Sequence, residues 1–64
     1  MDAETRDRIA RLCTEAGALM EDASVVALTI SSREGPGMRQ ALAQLAESTR
    51  RISELIVRAS NLGS

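Results

Sequence analysis

This chain has no Trp, Tyr or Phe. The largest apolar side chains are therefore missing, and any core must be built from Leu, Ile, Val, Met and Ala. It also has no His, which removes the commonest general base and the commonest metal ligand. Lys is absent too, so all eight basic residues are Arg. Without His or Lys, a nucleophile and base can be paired only through Cys13 or a carboxylate, and no enzyme activity, cofactor or metal is expected. The single Cys cannot form an intramolecular disulfide, which fits a reducing, cytoplasmic setting. The first residues, Met1-Asp2-Ala3-Glu4, are charged and lead into no apolar run, so no signal peptide is expected. No hydrophobic run is long enough to span a membrane. The formal charge of −1 argues against a broad nucleic-acid footprint or an anionic membrane surface.

Pro is nearly absent as well, and its one occurrence organises the rest. Pro36 lies within Arg33-Glu34-Gly35-Pro36-Gly37, the only place where Gly and Pro cluster. Its ring and missing amide break a helix, whereas Gly35 can close one in the left-handed conformation and Pro36 can open the next. Helical periodicity runs on both sides. The chain reads as one all-α domain over residues 1–64: a helix over about 3–32, a turn over about 33–37 and a second helix over about 38–61. Together they form an antiparallel helical hairpin.

In the first segment Asp2 is the expected N-cap. Ile9, Leu12, Ala16, Leu19, Ala23, Val26 and Ile30 then step by three and four, a heptad seam of the coiled-coil type. Cys13, Met20 and Ala27 run beside it and widen the stripe toward that of a bundle helix. Gly17 lies off the seam and reads as a tolerated helical glycine. In the second segment the seam reads as Met38, Leu42, Leu45, Thr49, Ile52, Ile56 and Ala59, flanked by Ala41, Ala46, Leu55 and Leu62. Folding about Glu34–Gly35 sets small against large: Ala23 near Leu45, Ala16 near Ile52, Ile9 near Ala59. Thr49 is the polar exception, and its hydroxyl is expected to bond back to its own helix.

Two helices without aromatics make a thin core, and a chain of this size is marginal alone. Self-association is therefore expected, with a homodimeric four-helix bundle as the simplest form. Val25 and Leu28 near the turn, and Leu55 and Leu62 toward the open end, are the expected dimer interface. An antiparallel partner would bury both groups through one isologous contact. The architecture resembles the plasmid repressor-of-primer family, short helical hairpins that dimerise into four-helix bundles, including the Ala and Leu alternation at Ala16, Leu19 and Ala23. That family binds paired RNA hairpins through a face bearing basic and aromatic residues. This chain has no aromatics and interleaves its Arg with acids, so the resemblance implies the fold and not the ligand.

Few constellations carry chemistry. Arg39, Arg50 and Arg51 form the candidate phosphate-binding face of the second helix. Glu47 and Glu54 lie among them and favour a salt-bridged, solvated surface. Glu15 and Asp22 share one edge of the first helix and are expected to pair with Arg across an interface. The function expected is a small non-catalytic homo-oligomeric interaction module, a regulator or assembly factor that binds an as yet unidentified protein. Binding of nucleic acid or a phosphorylated ligand through the Arg face is the alternative.

Overall fold

The computed structural model describes all 64 residues. Helix α1 spans Ala3–Leu28, a short 3-10 turn spans Ile30–Ser32, and helix α2 spans Gly35–Gly63. The two helices pack antiparallel as a hairpin. No helix is long and apolar enough to cross a membrane.

Each boundary has a local cause. Asp2 stands in extended backbone, and its Oδ1 accepts a hydrogen bond from the Thr5 amide at 2.8 Å, which satisfies one of the orphan donors of the first turn. At the other end α1 stops earlier than residue 32, where periodicity alone would carry it. Val25, Val26, Thr29 and Ile30 are β-branched and hold a helix weakly. The Thr29 amide is shared between the Val25 and Val26 carbonyls at 3.2 Å each, and the Thr29 hydroxyl donates to Val26 O at 3.0 Å. The Ser32 hydroxyl donates to Thr29 O at 2.7 Å. These local bonds tighten the path into the 3-10 turn.

Gly35 takes the left-handed conformation, with φ +51°. It does not close α1, as its sequence neighbours suggest. Arg33 and Glu34 are extended, and Gly35 opens α2, with Pro36 directly after it. Pro36 fits there because an amide at this position would have no helical acceptor. α2 continues to Gly63, two residues past the expected stop at Asn61, and the Ser64 hydroxyl donates to Ser60 O at 2.9 Å.

The seam of α1 is as the periodicity gives it: Ile9, Leu12, Ala16, Leu19, Ala23, Val26 and Ile30 are all buried or half-buried. The seam of α2 differs by one position in every second step. It runs Met38, Ala41, Leu45, Ser48, Ile52, Leu55 and Ala59, and Leu42, Thr49 and Ile56 are exposed. The anchor positions Met38, Leu45, Ile52 and Ala59 belong to both readings. The residues between them decide which flank of α2 meets α1. Ala16, Ala41, Leu55 and Ala59 are the fully buried residues, so mostly small side chains line the closest part of the seam.

The helix alignment follows the small-against-large pairing. Glu15 meets Arg51 across the hairpin at 3.5 Å, one residue before Ala16 and Ile52 on their respective helices. Near the open end the Ile9 side chain lies 3.7 Å from where a side chain would begin at Gly63. No buried side-chain polar atom lacks a partner.

Candidate functional site

With both seams labelled as heptad positions a and d, the flanking positions e and g acquire fixed neighbours. In an antiparallel pair, e faces e and g faces g across the seam. Glu15 and Arg51 are both g positions, and their ion pair identifies the g flank. Arg8, Asp22, Gln44 and Arg58 share it. The e flank is the opposite edge. It holds Cys13, Met20 and Ala27 from α1, and Leu42, Thr49 and Ile56 from α2.

These two edges differ sharply in chemistry. On the e flank, Met20 is 44% exposed, Leu42 52% and Ile56 39%, and no charged residue interrupts the stripe between Cys13 and Ala27 or between Leu42 and Ile56 at these positions. Thr49 lies midway along it. Its hydroxyl donates to Leu45 O at 2.8 Å, so it turns a satisfied oxygen to its own backbone and adds no unmet polar group to the stripe. The hairpin therefore carries a continuous apolar band along one edge.

The residues expected at a dimer interface do not gather there. Leu55 is 0% exposed inside the hairpin itself, and so is unavailable to a partner. Periodicity places it on a flank because the α2 stripe is wide enough to fit a seam one position over, through Ile56. Val25 (63% exposed) and Leu28 (83% exposed) lie off the apolar band on α1. Leu62 sits at the end of the seam by the open end. Cys13, Met20 and Ala27 are legible in the sequence as a widened stripe, but their neighbours Leu42 and Ile56 are not, because their spacing fits the seam of α2 equally well.

The Arg39, Arg50 and Arg51 face is largely neutralised. Arg50 donates to Glu47 and, at 2.6 Å, to Glu54. Hydrogen bonding to Glu47, with the charge of Glu47 and Glu54 beside it, holds the Arg50 guanidinium above its usual pKa. Arg51 bridges Glu15 and the second Glu54 oxygen, each at 3.5 Å. Arg39 has no carboxylate partner, and it lies eleven residues from Arg50, about 16 Å along the helix. Glu15 does pair with Arg, but within its own hairpin.

At the open end three other cations converge. Arg8 and Arg11 of α1 and Arg58 of α2, with Asn61, surround a cleft of about 520 Å³ floored by Leu12 and Leu62. Arg8 bonds Glu4 at 3.1 Å as expected for that i, i+4 pair. Asp7 and Arg11, and Glu54 and Arg58, share the same i, i+4 spacing but form no ion pair, whereas Arg50 and Glu54 do. Glu54 has both oxygens engaged by Arg50 and Arg51, which leaves Arg58 free. No group of three or more His, Cys, Asp or Glu side chains is placed to hold a metal ion.

No protein-family model matches the chain, and no curated protein or solved structure shows significant similarity to it.

Proposed function

We propose that this chain is a non-catalytic helical interaction module that works as a homodimeric four-helix bundle, joined along the e flank, and that binds another protein as a regulator or assembly factor. The observation that carries the self-association is the amount of surface left over. A compact protein of 6.8 kDa exposes about 4,000 Å². This chain exposes 4750 Å². The excess is roughly 800 Å², similar to the area each partner contributes to a stable interface. The apolar band of Met20, Leu42 and Ile56, bridged by the self-bonded Thr49, is the part of that surface best suited to a second copy. Each is already about half covered in the single hairpin, so completing its burial contributes roughly 0.7–1.5 kcal/mol, about half the value for a fully exposed side chain.

Sedimentation equilibrium across a concentration range tests this reading. A dimer is expected, and Leu42→Glu or Ile56→Glu is expected to dissociate it. A monomer at all concentrations, with full helical circular dichroism, would sink the proposal.

A further inference from the structure

We propose that the open-end cleft binds a small amphiphilic anion: a phosphoryl or carboxylate head held by Arg8, Arg11, Arg58 and Asn61, with a short apolar chain lying on Leu12 and Leu62. Four observations lead here. First, the donors come from both helices, so the cleft exists only once the hairpin has closed. Second, two of its three cations, Arg11 and Arg58, have no carboxylate partner, and unlike the other unpaired arginines they share one cleft. Third, the remaining cation, Arg8, is held only by an exposed contact to Glu4, which an incoming oxyanion can replace. Fourth, the floor is apolar: Leu62 is 38% exposed there, beside the half-buried Leu12.

Guanidinium groups suit this ligand class. Each offers a planar fork of N–H donors that matches two oxygens of a phosphoryl or carboxylate group. The Asn61 amide adds a neutral donor, and the Leu floor rewards an apolar substituent that inorganic phosphate lacks. The cleft volume falls within the range of about 300–1,000 Å³ usual for small-molecule sites. Arg8 and Arg58 are g positions, on the edge opposite the apolar band. The proposal therefore does not depend on the dimer reading, and a bundle joined along the e flank would keep two such clefts open.

The test is a titration of the full chain, followed by amide NMR shifts and calorimetry, with hexyl phosphate, hexanoate, inorganic phosphate and hexanol as probes. At least one of hexyl phosphate and hexanoate is expected to bind, with shifts centred on Arg8, Arg11, Arg58 and Asn61. Their relative affinity assigns the head group. Hexyl phosphate should bind at least tenfold more tightly than inorganic phosphate if the head is phosphoryl, and hexanol should not bind. Arg58→Gln and Arg11→Gln should each weaken binding about tenfold or more with circular dichroism unchanged. Arg39→Gln, which removes the same charge elsewhere, should have no effect. Equal weakening by Arg39→Gln would reduce the effect to net charge and overturn the proposal. So would the absence of binding by either chain-bearing anion. A change in sedimentation of the Arg11→Gln/Arg58→Gln variant would overturn it as well, by placing the cleft in a subunit contact.

Discussion

At the scale of single residues, position on the hairpin decides what a side chain is worth. Leu28 and Leu55 are the same residue type with opposite surroundings: Leu28 projects into solvent, and Leu55 is the largest fully buried side chain. Leu55→Ala is expected to destabilise the fold by roughly 2–5 kcal/mol, a cavity-forming loss in a core with little to spare. Leu28→Ser should stay within about 0.5 kcal/mol of the parent, as surface substitutions usually do. Urea titration followed by circular dichroism reads both. If Leu28→Ser proved the more damaging, the Leu28 surface of α1 would be a buried interface after all. Asp2 gives a pH prediction. Hydrogen bonding to the Thr5 side chain, and then to the Thr5 amide, holds its carboxyl below the ordinary value of 3.8 in the folded chain. A lowered folded-state pKa means that the cap's contribution is complete above the unfolded value and fades as pH falls through 3.8 to the lower folded value. Helix content at the start of α1 should decline over that acid range, and Asp2→Asn, which still caps but does not titrate, should flatten the decline. An unchanged profile in Asp2→Asn would assign the acid response to other carboxylates.

At the scale of the element, two glycines with equally open surroundings should respond with opposite sign. Gly17 is inside α1, and nothing lies within 4 Å of where its Cβ would sit. Its loose fit means that no second backbone approaches it within the hairpin. Gly17→Ala should therefore stabilise the chain by roughly 0.5–1 kcal/mol through the lower backbone entropy of the unfolded state. Gly35 also has open space, but at φ +51°. Gly35→Ala should cost about 1–2 kcal/mol in backbone strain alone. Thermal melts of the two variants measure both, and a loss at Gly17 would point to a close contact made on association. The turn was legible from Gly-Pro-Gly, but its division of labour was not. Periodicity could not reveal that Thr29 and Ser32 would end α1 through their own hydroxyls, because such bonds depend on side-chain rotamers rather than on hydrophobic spacing. The same limit applies to Arg58. Its spacing from Glu54 suggests an ion pair, yet Glu54 can serve only so many donors, and Arg50 and Arg51 take it.

At the scale of the whole molecule, the hairpin is long and thin. Its extents are 49 × 15 × 10 Å and its radius of gyration is 14.9 Å, against about 11 Å for a compact domain of this length. A rod of two helices has one contact line, so only 4 of 64 residues are fully buried. The proposed dimer would add a second contact along the e flank. Cys13 lies on that flank and is exposed in the single hairpin. Its thiol should thus react freely with a maleimide at low protein concentration and become protected as concentration rises through the dimerisation range. Unchanged reactivity across that range would move the subunit contact away from the e flank.

The two helices, the turn between them, the seam of α1 and the alignment of the two arms are all legible in the sequence. Each of these follows from information carried along one chain segment: the three-and-four spacing of Ile9 through Ile30, the helix-breaking ring of Pro36, and the alternation of small and large residues such as Ala16 against Ile52. Which side of α2 faces inward depends on packing against α1. α2 is apolar over a stripe three positions wide, and Met38, Leu45, Ile52 and Ala59 fit two rotations equally well. Only the approach of α1, with Glu15 meeting Arg51 on one edge, turned Ala41, Ser48 and Leu55 into the seam and left Leu42, Thr49 and Ile56 outside. That rotation sorts the two edges into an apolar band and a cationic cleft, because a single neighbouring helix can cover only one part of a stripe broad enough for two.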